Sequence, residues 1–181
     1  MSRHKGYDLV RPAFTEGELK VFSDIFKLVP KTEVAKDLGK ERGRFNQLIK
    51  NPYEFTYQEL RRLGSLCEMT PSELGILIED KNPREPVADE QQKEIKYRAI
   101  RSMTEKKKIT LLTEAIDYFS RSEIARKIGR KSTTLDRYLK NVDLFLIEDI
   151  HSIGRLFGQS LADTLKLVEA QYEKQNNNPN L

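Results

Sequence analysis

The chain has 181 residues, a formal net charge of +4, one residue in three charged (33%) and a single cysteine, Cys67. One cysteine excludes an intrachain disulfide and suits a reducing compartment, so a cytoplasmic location is the expectation. No apolar run approaches a membrane span, and the opening MSRHKGYDLV lacks the apolar core of a secretory signal, so no membrane partner is expected.

Residues 1–14 mix Gly6, Pro12 and charges without periodicity and read as a flexible arm. Thr15 and Glu18 have the spacing of a capping box, and Leu19, Phe22, Phe26 and Val29 follow as an apolar stripe, so a first helix is expected over 15–29, ended by Pro30. A second helix is expected over 31–38, with Gly39 as its left-handed cap. A third runs over 41–50, ended by Asn51, also in a left-handed cap, and by Pro52. Thr56 with Glu59, and Thr70 with Pro71 and Glu73, open a fourth and a fifth helix. Residues 81–104 read as a linker containing a helix, with Ile95, Ile100 and Met103 on one face. Ser102 and Glu105 have the spacing to cap the helix after it, over 106–119. Further helices are expected over 121–128, 131–140, 146–158 and 161–172, and the polar end, 174–181, reads as a disordered tail.

The chain repeats itself. Shifted by about 90 residues, KTEVAKDLGKERGRFNQLIK at 31–50 falls on RSEIARKIGRKSTTLDRYLK at 121–140 without a gap. Glu33/Glu123, Ala35/Ala125, Gly39/Gly129 and Lys50/Lys140 are identical. The register continues through Asn51/Asn141, Phe55/Phe145, Gly64/Gly154, Leu66/Leu156 and Glu79/Glu169. A period of this length is that of a small domain used twice. The domains expected are 15–80 and 105–173. In each, a short helix, a glycine turn and a second short helix make a helix-turn-helix. Ala35 or Ala125 lets the second helix cross closely, and the glycine permits the turn. Phe45/Leu135 and Leu48/Tyr138 anchor the second helix, leaving its other face free for a major groove.

These stretches resemble the lambda-repressor-like helix-turn-helix family. The first unit carries the likeness in TEVAKDLG, FNQLIKNP and LRRLGSLCEMTPSELGILI. The second carries it in SEIARKIG, STTLDRYL and, more loosely, IHSIGRLFGQSLADTLKLV. The resemblance implies an all-α fold of two tandem five-helix lambda-repressor-like helix-turn-helix units joined by a helical linker. It implies a sequence-specific double-stranded DNA-binding protein of prokaryotic or phage type that regulates transcription. The chain departs from the family in three ways. Lys31 and Arg121 stand where a glutamine is common, Lys40 and Arg130 follow the turn glycine where an apolar residue is common, and Gly43 interrupts the first reading helix.

The charge pattern is polarised in both repeats. Residues 36–50 carry five bases against two acids, and 126–140 carry six against one. The stretches behind them, 51–79 and 141–169, each carry two bases against five acids. Such a distribution is what phosphate binding needs. Arg42, Asn46, Gln47, Ser132, Thr133 and Arg137 are the residues expected to reach base edges. Lys31, Lys36, Lys40, Lys50, Arg121, Arg126, Arg130, Lys131 and Lys140 are expected near phosphates. The second unit, more basic and without a glycine in its reading helix, is the stronger candidate to hold DNA.

Catalysis finds little support. His4 falls in the arm, His151 reads as a surface residue and Cys67 as core. No Cys/His cluster offers a metal site, and no cofactor or small-molecule ligand is indicated. The rival reading is a structural or adaptor protein, of a phage particle or a replication assembly, whose tandem helical units bind protein. A homodimer or a protein partner would then form through the linker helix.

Overall fold

The computed structural model describes residues 4–79 and 95–177, apart from the side chain of Lys96. It is all-helical. Among the described residues the only extended pairing is one isolated bridge, and no helix is long and apolar enough to cross a membrane.

The first unit consists of α1 (Tyr7–Thr15), a 3₁₀ turn (Phe22–Asp24) running into α2 (Ile25–Leu28), α3 (Lys31–Asp37), α4 (Arg42–Lys50), α5 (Tyr57–Cys67) and α6 (Pro71–Ile78). The second consists of α7 (Ile95–Glu105), α8 (Leu112–Ile116), α9 (Arg121–Lys127), α10 (Ser132–Lys140), α11 (Ile147–Phe157) and α12 (Leu161–Asn177). The bounds of α3, α4 and α5 recur in α9, α10 and α11 at the shift seen in the sequence. The left-handed backbone positions recur with them: Gly17 with Lys107, Gly39 with Gly129, and Glu68 with Gly158. Side-chain capping explains the starts of α5, α6 and α9, the last through Ser120 accepting the Glu123 amide. Thr56 and Glu59, and Thr70 and Glu73, form reciprocal boxes as expected.

The expected domain bounds need correction in three places. Residues 1–14 are not an arm throughout, because α1 buries Tyr7, Val10 and Ala13, and the Tyr7 hydroxyl donates to Asp37 Oδ2 at 2.8 Å. Its counterpart α7 buries Tyr97 and Ile100, and the Tyr97 hydroxyl donates to Glu123 Oε1 at 3.0 Å. Helix α7 therefore belongs to the second unit, not to a linker: Ile100 is core and Met103 packs on it, while Ile95 alone of the three is 81% exposed. The part of the expected linker at 80–94 lies outside the described residues. The expected tail starts late, since α12 continues through Asn177; residues 178–181 lie outside the described residues.

The first helix of each repeat is also shorter than its apolar stripe suggests. Thr15 ends α1 and bonds back to Arg11 O, so it forms no box with Glu18. Gly17 turns the chain at φ +73, and Asp24 instead accepts the Lys20 and Val21 amides at 2.8 and 3.1 Å. Ser102 and Glu105 lie inside α7 and cap nothing after it; Glu114 accepts the Thr110 and Leu111 amides. Asn51 has φ −131, outside the left-handed region, and uses its side-chain amide on Glu54.

The two units pack on each other through equivalent surfaces. Thr56 and Leu146, repeat counterparts, form the antiparallel bridge. The Tyr57 amide donates to Phe145 O at 2.8 Å, and the Ile147 amide to Phe55 O at 2.9 Å. Exchange of the same bonds between the same positions is the mark of an isologous, two-fold contact. Helices α6 and α12 cross at this axis, where a Cβ on Gly75 would lie 2.7 Å from its counterpart Leu165. Glu169 accepts from the Ser72 amide at 2.6 Å and Glu79 from the Leu161 amide at 3.0 Å, so each unit caps the other's last helix. The offset by one residue has a cause: Pro71, the counterpart of Leu161, has no N–H. Arg61 pairs with Asp143 at 3.3 Å, and at the reciprocal positions His151 packs its ring on Tyr53 at 5.0 Å. His151 is thus half-buried between the units rather than a surface residue.

Candidate nucleic-acid interface

Helices α3 and α4 meet at Gly39, φ +64, and α9 and α10 at Gly129, φ +71. A Cβ on either glycine would meet nothing within 4 Å, so backbone conformation and not crowding selects glycine there. Val34, Ala35, Phe45 and Leu48 are buried in one pair, and Ile124, Ala125, Leu135 and Tyr138 in the other. This burial fixes which side of α4 and α10 remains outside. The outward ridge of α4 is Gly43, Gln47 and Lys50; that of α10 is Thr133, Arg137 and Lys140. Each is spaced by four and then three residues, one stripe along a helix.

The candidate base readers divide accordingly. Arg42, Gln47, Thr133 and Arg137 are exposed, while Asn46 and Ser132 are half-buried at the edges of their helices. Gln47 also accepts from Arg44 at 3.4 Å, and Arg44 is held by Glu54 at 2.7 Å. The Arg137 guanidinium lies 5.5 Å from the Tyr138 ring centre.

Among the candidate phosphate contacts, Lys31, Lys36, Lys50, Arg126, Lys131 and Lys140 are exposed, with no ion pair to a described residue. Lys36 and Arg126 are repeat counterparts, as are Lys50 and Lys140. Three candidates are engaged elsewhere. Arg121 is shared between Asp117 at 2.9 Å and Asp136 at 3.5 Å. Lys40 pairs with Glu59, and Arg130 pairs with Asp149 at 2.7 Å. Glu59 and Asp149 are themselves counterparts in the first turns of α5 and α11. Burial pushes the Asp149 carboxyl up, and the Arg130 hydrogen bond and charge oppose that; the same bond raises Arg130. A basic residue after the turn glycine therefore neutralises an inward-facing acid of its own unit. Lys40 and Arg130 are structural clamps, and the sequence signal for that was the acid in register with each of them.

Missed at the sequence level was the role of the acidic half of each repeat. Glu79 and Glu169 are identical at the repeat shift, and together they join the units. Burial raises Glu169 above its ordinary value, and its two bonds from Ser72 oppose the rise.

No protein-family model matches the chain, and no curated protein or solved structure is similar to it at a significant level.

Proposed function

We propose that the protein is a sequence-specific double-stranded DNA-binding protein, a transcriptional regulator that uses α3–α4 and α9–α10 as two helix-turn-helix readers. The observation that carries this reading is the repeat relation of two helix pairs whose exposed cations have no ion pair to a described residue at matched positions, Lys36 on α3 with Arg126 on α9 and Lys50 on α4 with Lys140 on α10. Duplex DNA has a local two-fold axis, and a protein dyad matches it with one reader per half-site. On this reading a single chain supplies both readers. Their ridges differ, Gly43–Gln47–Lys50 against Thr133–Arg137–Lys140, so the preferred site is an inverted repeat with unequal halves. Arg137 suits guanine and Gln47 suits adenine.

The test is binding to duplex DNA as salt is raised, followed by selection of bound fragments from random sequence. Affinity should fall steeply with salt, and each removed phosphate contact should reduce the log–log slope by about 1. Charge reversal at Lys140 or Arg126 should weaken binding; the same change at Arg62, on α5 away from the ridges, should not. Absence of duplex binding at low salt, or a selected site confined to a single half-site, would overturn the reading.

A further inference from the structure

The two repeats differ most where their last helices end. Helix α6 stops at Ile78, with Glu79 extended, whereas α12 runs to Asn177. The sequence has Pro83 and Pro86 where α12 has Glu173 and Asn176.

The extension of α12 covers an apolar surface. Leu111, Leu139, Val142 and Leu167 are all buried there. Gln171, itself buried, donates to Leu139 O at 3.1 Å and accepts from the Thr113 amide at 2.9 Å. Gln175 donates to the same Leu139 O at 2.8 Å. Two glutamines one helical turn apart thus satisfy the end of α10 and the start of α8.

In the first unit the counterparts are Val21, Ile49, Pro52 and Leu77, and they line an open groove of about 170 Å³. Val21 is 44% exposed, against 9% for Leu111. The Ile49 carbonyl and the Ser23 amide correspond to the groups that Gln171 and Gln175 satisfy, and no described side chain bonds either. The surface is the same, and its cover is absent among the described residues.

We propose that this groove is a docking site for an α-helical segment of a partner protein, carrying an apolar stripe and a primary amide that reaches the Ile49 carbonyl and the Ser23 amide. The occupant's chemistry is displayed by the molecule itself, in residues 168–175 of the second unit. An isolated helix of that kind gains order only on seating, so its affinity is modest. The site is independent of the DNA-reading ridges, and either can fail without the other.

The test adds a helix-constrained peptide copying residues 166–177 to the full chain and follows backbone amide NMR shifts. The expected result is saturable perturbation at Val21, Ser23, Ile49 and Leu77, abolished by Val21→Glu, whose spectrum elsewhere stays native. A peptide with both glutamines replaced by glutamate should bind at least about tenfold more weakly, since a carboxylate accepts but cannot donate to the Ile49 carbonyl. Three outcomes would overturn the proposal: no perturbation at millimolar peptide, perturbation confined to Leu111 and Leu139 through displacement of α12, or perturbation of the groove by duplex DNA instead of the peptide.

Discussion

The two units share a backbone plan and differ in how firmly it is held. In the first, the clamp after the turn is Lys40 on Glu59, whose side chain is 15% exposed; in the second it is Arg130 on Asp149, which is 2% exposed. In the first, Gly17 takes the left-handed turn after the opening helix; in the second, Lys107 takes it. In the first, α4 contains Gly43; in the second, α10 has Thr133 at the same place. The backbone positions recur throughout, but residue identity is kept only at some of them: Gly39/Gly129 and Glu79/Glu169 are identical, whereas Gly17/Lys107, Thr56/Leu146 and Gly75/Leu165 differ. The difference separates what the fold requires from what each unit does with it.

The clamps give the sharpest way to break the equivalence. Arg130→Ala strands the buried Asp149 charge and should cost about 3–5 kcal/mol in chemical denaturation, because an uncompensated buried carboxylate has no solvent to turn to. Lys40→Ala should cost only about 1 kcal/mol, since Glu59 is nearer solvent and still caps α5 through the Thr56 amide. Equal losses would show that the two clamps are not graded by burial.

The interface comes next. Glu169→Ala removes the acceptor for the Ser72 amide and should lower stability by about 1–2 kcal/mol, with Glu79→Ala doing the same through Leu161. Glu169→Gln keeps a carbonyl for Ser72 and removes a half-buried charge. It should therefore match or exceed the original at neutral pH. Because the folded carboxyl titrates above its unfolded value, the penalty of the charge is present at high pH and disappears as pH falls through the raised value, so the gap between Gln and Glu should close on acidification. A gap that widens instead would contradict the burial of Glu169.

A smaller effect tests the turns. Lys107→Gly should raise stability by about 1 kcal/mol by relieving a left-handed side-chain residue, and Gly17→Ala should lose about the same, each read as a shift in the denaturation midpoint. The smallest stability effect is at Gly43. A Cβ there meets nothing within 4 Å, so Gly43→Ala should stabilise α4 by about 0.5–1 kcal/mol. Under the proposed function the same change should weaken duplex binding, because Gly43 lies on the outward ridge where a DNA backbone would approach. Tighter or unchanged binding would mean that the glycine serves neither fold nor ligand.

Much of this was legible in the residues. Gly39 and Gly129 announced the turns, Thr56–Glu59 and Thr70–Glu73 announced helix starts, and the ungapped register announced two units. Tyr7 and Tyr97 are identical at the same shift, as are Arg11 and Arg101. That match was the available signal that the arm and the linker helix are counterparts, although Gly6 and Pro12 obscured the helical spacing around it. The outward candidates were partly legible. Lys36, Lys50, Arg126, Arg137 and Lys140 lie off the buried face by periodicity alone, whereas the engagement of Lys40 and Arg130 depends on acids that sit 19 residues further along the chain in each unit.

Local chemistry determined most of the helices, the glycine turns and the caps at Thr56 and Thr70, because those depend on contacts within a few residues. The same box spacing at Thr15–Glu18 and Ser102–Glu105 caps nothing, since the chain places both pairs elsewhere. Only the tertiary structure decided the rest. The pairing of Thr56 with Leu146, the mutual capping by Glu79 and Glu169, and the covered and uncovered versions of one groove all arise from contacts between groups far apart in the chain. A repeat in sequence states that two units are alike; it carries no term for how they meet, since the surfaces that join them are satisfied only by each other.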